Sequence, residues 1–426
     1  MPGGFCPVPA LNSSRNLPAD EVYIMSTRPF AGLKVIEYGE YISAPYCTRL
    51  LAGLGADVIK VEKAGGDEAR VNGPFPKDIP HPEKSGLYLS LNANKKGVTL
   101  NLEKPQGKDV FKKLIANADV LVENNIRGYM DGLGLGYDVL KAINPKLVMV
   151  SITPFGQTGP YKDWKAYHIN SCGAGGMSIG TGDPAREPLT MPLSQGGYEA
   201  GLSAATGILA ALLAREKTGK GQFIDISEVE VWATTHAGQY VLTFLYRGIT
   251  GIRRGTHGPQ VYPCEIFPCK DGYVSLIAPQ IEQWLRFVEV LGTPEWTKEP
   301  RYRNRRAMAE DYPDEVNALI IPWMMARTKE EIMKLCQDKR VPCVPIYDIA
   351  EVVNHRQIKA MDFFVELDHP AAGKLKYAKG PCTFEKTDWQ WQTSAPLLGQ
   401  DNEKVYCEQL GYTQKELAGL KKSGVI

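Results

Sequence analysis

The chain has 426 residues, of which 43% are apolar and 23% charged, an ordinary balance for a globular protein in water and a length that calls for two hydrophobic cores. Forty-nine basic residues against 48 acidic ones exclude the basic field of a nucleic-acid binder, and no polybasic tract marks a membrane surface. No run approaches the roughly 18 uncharged apolar residues of a membrane span.

Residues 1–27 are rich in Pro, Gly, Asn and Ser and read as an irregular arm without the charged and apolar blocks of a secretory signal. Leu33 to Tyr38 is a short apolar run suited to a buried parallel strand. Ala44 to Leu54 follows with helical spacing and Pro45 in its first turn, and Asp57 to Glu62 is a second strand. These three make a β-α-β unit, the building block of a Rossmann-like sheet. The alternation continues with a strand over 98–102, a helix over 107–118, a strand over 118–122, a helix over 137–143 and a strand over 147–152. Strands alternating with helices predict an α/β domain with a mostly parallel sheet.

A helix over 199–216, rich in Ala, Gly and Leu, has the small side chains of a buried central helix. Phe223 to Ser227 reads as a strand, and another helix starts near Glu228. Composition then shifts. Residues 247–260 form a Gly-rich loop, followed by strands over 264–267 and 273–277 and helices over 281–291 and 329–337. Turns at Pro-Ala-Ala-Gly and Ala-Pro-Leu-Leu-Gly precede a closing helix over 414–421. Nine cysteines show no CxxC pair, which predicts reduced thiols in a cytoplasm and no metal site.

An ordered series of motifs carries a family resemblance. It includes Phe30-Ala31-Gly32-Leu33, Leu54-Gly55-Ala56-Asp57-Val58-Ile59-Lys60-Val61-Glu62, Gly65-Gly66-Asp67 with Arg70, and Asn92-Ala93-Asn94-Lys95-Lys96. It continues through Ala118 to Asn124, Phe155-Gly156-Gln157-Thr158-Gly159-Pro160-Tyr161, Thr218-Gly219-Lys220-Gly221-Gln222, Ala395 to Gln400 and Leu410-Gly411-Tyr412. From about residue 28 onward the chain resembles the class III CoA-transferases, such as formyl-CoA and carnitine CoA-transferases. The resemblance implies an α/β fold with a Rossmann-like large domain built from residues 28–225 and 350–426. Linker helices and a smaller α/β domain lie between them, over 226–349, and two subunits interlock as a dimer. It also implies transfer of CoA from an acyl-CoA to a carboxylate through a catalytic aspartate, which forms a mixed anhydride and then an aspartyl thioester.

At the aspartate position of that family, Ser194-Gln195-Gly196-Gly197-Tyr198-Glu199-Ala200-Gly201 presents Gly197. Glycine offers no nucleophile. The fallback candidates are an aspartate a few residues away, Glu199 (turned about 200° around a helix from residue 197 and suited to stabilising the helix amino end), and His168. Related racemases place a His-Asp pair near His168, but here the histidine falls one place late. For the CoA phosphates, the resemblance points to Arg70, Lys95, Lys96, Asn124 and Arg127, with the arginine of the last motif displaced by one position. Lys95 and Lys96 also read as ordinary surface charges. Gly255-Thr256-His257-Gly258-Pro259-Gln260 stands where some members carry a glycine loop over the reaction intermediate.

The expected function is therefore a CoA-transferase subunit that lacks the nucleophile and pairs with a homologous catalytic subunit. The family includes two-subunit enzymes such as the succinyl-CoA:benzylsuccinate CoA-transferase of anaerobic toluene degradation. CoA thioester enters as substrate, and no covalently bound cofactor, metal, nucleic acid or membrane is expected. The alternatives are an active transferase or racemase with altered residues, and a non-catalytic homodimer that binds CoA.

Overall fold

The computed structural model describes residues 28–426 except 252, 259, 260 and 388; the predicted arm at 1–27 lies outside the described residues. The first half alternates strand and helix: β1 (Lys34–Tyr38), α1 (Ser43–Gly53), β2 (Asp57–Glu62), α2 (Gly86–Asn92), β3 (Lys95–Thr99), α3 (Pro105–Ala116), β4 (Val120–Glu123), α4 (Tyr129–Gly132), α5 (Tyr137–Ile143) and β5 (Val148–Thr153). Then come α6 (His168–Ala174), α7 (Gln195–Thr218), β6 (Phe223–Ser227), α8 (Glu228–Thr234) and α9 (Gly238–Arg247). The six strands form one sheet in the order β3-β2-β1-β4-β5-β6, with every neighbouring pair parallel. This is the doubly wound order of dinucleotide-binding folds, and it reverses direction between β1 and β4.

The smaller unit holds β7 (Cys264–Cys269), β8 (Gly272–Ile277), α10 (Ile281–Val290), α11 (Arg305–Glu310), α12 (Pro313–Met325), α13 (Lys329–Asp338) and β9 (Cys343–Pro345). Its antiparallel sheet runs β7-β8-β9, with a core of its own around Phe267, Phe287, Met308, Ile320 and Ile332. After α14 (Ile349–Asn354) and α15 (Arg356–Ala360), a hairpin of β10 (Phe364–His369) and β11 (Gly373–Ala378) turns at the expected Pro-Ala-Ala-Gly. The chain closes with α16 (Gln414–Lys422).

The last segment returns to the large sheet. Gly97 N–H donates to Asp401 (2.8 Å) and Thr99 N–H to Asn402 (2.9 Å). Val405, Tyr406, Leu417 and Val425 join the core beneath Phe111 and Leu121. The large domain is thus built from both ends of the chain.

Three boundaries differ from expectation. The strand expected over 98–102 is β3 at 95–99, because Lys95 is buried by pairing and the apolar Leu100 and Leu102 pack in the turn that follows. The helix expected from 199 begins at 195, its first turn built on glycines. The domain boundary expected at 225 falls inside β6, where Ile226 and Ser227 still pair with Ile152 and Thr153. Helix α7 is long and apolar enough by composition to cross a membrane, but in the fold its small-residue face packs on α1. At Gly201 an added Cβ would lie 2.6 Å from Ser43 O, so only glycine permits this approach.

Under the α1 side of the sheet lies a fully buried charge network. Lys60 bridges Glu37 and Asp67, each at 2.6 Å, and Lys95 holds Glu37 at 2.8 Å. Burial alone would raise the Glu37 pKa, but Lys60 and Lys95 overturn it and hold the carboxyl at about 2. Beside it, Arg70 grips Glu62 and Glu83 and stacks over Tyr88. Such a network costs little when complete and much when one partner is removed.

Lys60→Met should therefore destabilise the fold by about 3–5 kcal/mol, read as a lower urea midpoint at unchanged slope. The folded pKa of Glu37 lies below its unfolded value of about 4.3. Its contribution is complete above that value and is lost as pH falls toward about 2. Acid unfolding of Glu37→Gln should accordingly be flatter through this window.

Candidate active site

A cavity of about 820 Å³ opens at the carboxyl ends of β1 and β4, with walls from the segments after β1, β4 and β5 and from the amino ends of α6, α7 and α8. The strand order reverses at this point, which leaves a crevice that neither crossover helix fills. Tyr41 adopts a left-handed conformation (φ 68°), rare for a bulky residue. Its N–H is held by the Asp67 carboxylate at 2.9 Å. Asn124 ties the two switch strands together: its Oδ1 accepts from Glu40 N–H, and its Nδ2 donates to Glu40 O and Ser43 Oγ. The amino ends of α1 and α7 both face the cavity at Ile42, Ser43, Ser194 and Gly197, where the helix dipoles favour negative charge, although the Gly197 N–H is taken by Ser194 O at 3.0 Å.

Gly197 lies on this wall. It shares with Gly201 the face of α7 turned to α1, and a Cβ added at 197 would meet Ile42 Cγ2 at 3.1 Å. No aspartate lines the cavity among the described residues. Glu199 borders a separate cavity with Tyr46 and Arg49, and its carboxylate lies 3.6 Å from His236 Nε2.

His168 does line the crevice, but both its nitrogens are engaged by backbone. Nε2 lies 2.6 Å from the Met191 carbonyl, which can only accept, and Nδ1 takes the Gly196 N–H at 3.4 Å. These partners select the Nε2–H tautomer, so the imidazole braces the segment that leads into α7 and has no nitrogen left to serve as base.

Of the residues expected to hold CoA phosphates, only Asn124 faces this cavity. Arg70 is buried, its N–H groups directed to Glu62, Glu83, the Tyr88 hydroxyl and Pro396 O. Lys95 is buried on Glu37, Pro45 O and Asn92. Lys96 pairs with Asp57 near the amino ends of β2 and β3. Arg127 borders a smaller neighbouring cavity and donates to Gln157 O and Asp163. Arg70 and Lys95 thus hold internal carboxylates, whereas Lys96 and Arg127 pair with Asp57 and Asp163.

Of the glutamates that line the crevice, Glu40, Glu68, Glu103 and Glu228, none was singled out as a site residue in the sequence. Glu228, immediately after β6, lines the crevice with Gly197 and His168. Burial raises its pKa, an effect only partly offset by hydrogen bonding to Ser171 and by His168. Its position directly after the carboxyl end of a parallel strand was the available signal, because such residues border the crevice of a doubly wound sheet.

Comparison with known proteins agrees with this geometry. Residues 30–402 match the model of CoA-transferase family III. The chain belongs to that family. It is 33% identical over 409 residues to the succinyl-CoA–L-malate CoA-transferase beta subunit of Chloroflexus aurantiacus, spanning 94% of this chain and 99% of that one. It is 32% identical to the formyl-CoA:oxalate CoA-transferase of Bradyrhizobium diazoefficiens, over 94% and 98% of the two chains. The crystal structure of a CAIB/BAIF family protein from Brucella suis superposes with a TM-score of 0.81 at 29% identity, covering 90% of this chain and 99% of that one.

Within the family crevice, Glu228 binds its proton more tightly when folded than when unfolded. Its effect on stability is therefore most favourable at low pH and declines as pH rises through the folded pKa. Glu228→Gln, which imitates the protonated form, should raise the melting temperature at pH 8, with the gain vanishing near pH 4 in a thermal melt series.

Proposed function

We propose that this chain is one subunit of a class III CoA-transferase. The assembled enzyme moves CoA from an acyl-CoA such as succinyl-CoA to a carboxylic acid, and the exchange runs on the aspartate of a homologous partner subunit. The reading is supported by the crevice, whose wall holds Gly197, the residue that the family motif aligns with the nucleophile. Exchange needs a carboxylate that attacks the thioester carbonyl, expels CoA thiolate and then takes CoA back as its own thioester. The Gly197 wall has no atom that could form either bond, and neither Glu199 nor His168 replaces it.

Pairing is supported by the surface as well. Leu242, Phe244, Leu245 and Tyr246 on α9 and Leu202 and Leu213 on α7 are exposed in the single chain, an apolar area suited to burial against another subunit. The interlocked arrangement implied by the family would cover such a surface. The relative named as a beta subunit supports a hetero-oligomer, and relatives that use succinyl-CoA support that donor. The reduced cysteines Cys47, Cys172 and Cys336 suit a cytoplasmic enzyme.

A second reading, a transferase active by itself, is favoured by Glu228, a carboxylate in the same crevice. CoA exchange between succinyl-CoA and a panel of dicarboxylic acids, benzylsuccinate included, separates the two. The subunit reading expects turnover only when this chain is co-expressed with an aspartate-bearing homologue, and loss of turnover when that aspartate is removed. Turnover by this chain alone, abolished in Glu228→Gln, would replace it with the second reading.

A further inference from the structure

A buried cation without a counter-ion stands apart from the crevice. Arg49 on α1 is only 9% exposed, and no carboxylate pairs with it among the described residues. Its Nε donates to Ser90 O at 2.9 Å and its Nη2 to Ala378 O at 2.6 Å, while its Cζ lies 4.7 Å above the centre of the Trp391 ring. Nη1 makes no hydrogen bond to any described residue. Two carbonyls thus satisfy part of the guanidinium and leave its charge uncompensated. Burial accordingly pushes the Arg49 pKa down.

Arg49 lines a cavity of about 590 Å³ between α1, the end of α2, the first turn of α7 and the β10–β11 hairpin. Two edge-to-face aromatic pairs share its wall, Tyr46 with Tyr198 and Phe363 with Phe364, their ring centroids 5.0 and 5.1 Å apart. Tyr377 lines it too, and its buried hydroxyl has no hydrogen-bond partner. A buried polar group left in this state costs free energy unless something from outside the chain completes it. Lys376 adds an exposed ammonium, and Lys379 pairs with Asp362. Glu199, the one carboxylate among the described residues of the wall, turns toward His236. No residue lines both this cavity and the crevice.

We propose that this cavity is a second binding site, for an aromatic monocarboxylate that is held and not exchanged. Arg49 Nη1 and the Tyr377 hydroxyl take the carboxylate, and the two aromatic pairs take the ring. The donors left over are few, which suits the two oxygens of a carboxylate better than the three of a phosphate group. Rings packed edge to face offer apolar surface that an aliphatic dicarboxylate would leave unused, and the volume is ordinary for a small-ligand site. The site stands whichever subunit carries the nucleophile, because none of its residues belongs to the crevice. It does share the first turn of α7, where Tyr198 lines this cavity and Gly197 lines the crevice.

The test is isothermal titration of phenylacetate into the full chain, alone and co-expressed with an aspartate-bearing homologue, with acetate, benzyl alcohol and succinate as comparison ligands. Phenylacetate should bind both preparations. Acetate, which lacks the ring, and benzyl alcohol, which lacks the charge, should each bind about tenfold more weakly or worse. Tyr377→Phe removes only a hydroxyl that has no partner, so it should leave the melting temperature no lower while weakening phenylacetate by about tenfold or more. Arg49→Gln should weaken it as well, and Glu228→Gln, in the crevice, should leave the affinity unchanged. Phenylacetate binding that is indifferent to Tyr377→Phe, or that succinate displaces, puts the acid in the crevice as an ordinary substrate and overturns the proposal. Absence of binding overturns it too, and so does binding that is lost once the pair assembles, which would give the cavity to side chains of the other subunit.

Discussion

The geometry of the crevice depends on a buried carboxylate held between two lysines. Glu37 sits near the carboxyl end of β1, directly under the turn that shapes the cavity. Lys60 reaches from β2 to Glu37, to Asp67 and to the Gly39 carbonyl. Asp67 in turn receives the N–H of Tyr41, the residue forced into a left-handed conformation. One chain of charge thus ties two adjacent strands to the loop between β1 and α1. The strain at Tyr41 persists because its surroundings leave it no cheaper alternative.

That arrangement sets the shape of the crevice apart from the position on α7 where the family motif places a nucleophile. The nucleophile of the family would stand on α7, while the network lies beneath α1 and β1. A Cβ at residue 197 would meet Ile42 first, and Ile42 makes no ion pair in the network. The residues that shape the crevice and the residue that stands at the motif's nucleophile position are thus different ones. His168 shows the same division: it remains at the wall, but as a brace between Met191 and Gly196.

Much of the fold was legible in sequence because parallel strands buried on both faces read as short apolar runs separated by amphipathic helices. Val35, Val58, Val120 and Val150 mark four of the six strands this way. The parts that were missed carry no such signal. β3 begins with Lys95-Lys96, which looks like surface, and Lys95 is buried only because Glu37, fifty-eight positions earlier, waits for it. Arg70 was read as a cleft cation for the same reason, since nothing local shows that Glu62 and Glu83 enclose it. Helix α12 carries Pro322 in its interior, and the β10–β11 hairpin alternates charged and apolar residues too briefly to stand out from its loops. Gly197 was legible because it is defined by a motif, and Glu228 was not, because its meaning comes from the strand before it and the cavity ahead of it.

The close approach at Gly197 decides what the α1–α7 helix pair can accommodate. An added Cβ finds its nearest neighbour in the branch methyl of Ile42 at 3.1 Å, with no backbone atom closer than Ser43 N at 3.8 Å. Gly201, one turn later, is sealed by backbone and admits nothing. Room at 197 is limited by a side chain that can turn aside, and room at 201 by backbone that cannot move without parting the two helices. The helix pair can thus absorb a larger residue at 197 while the charge network holds the crevice open, and it has no such tolerance one turn later.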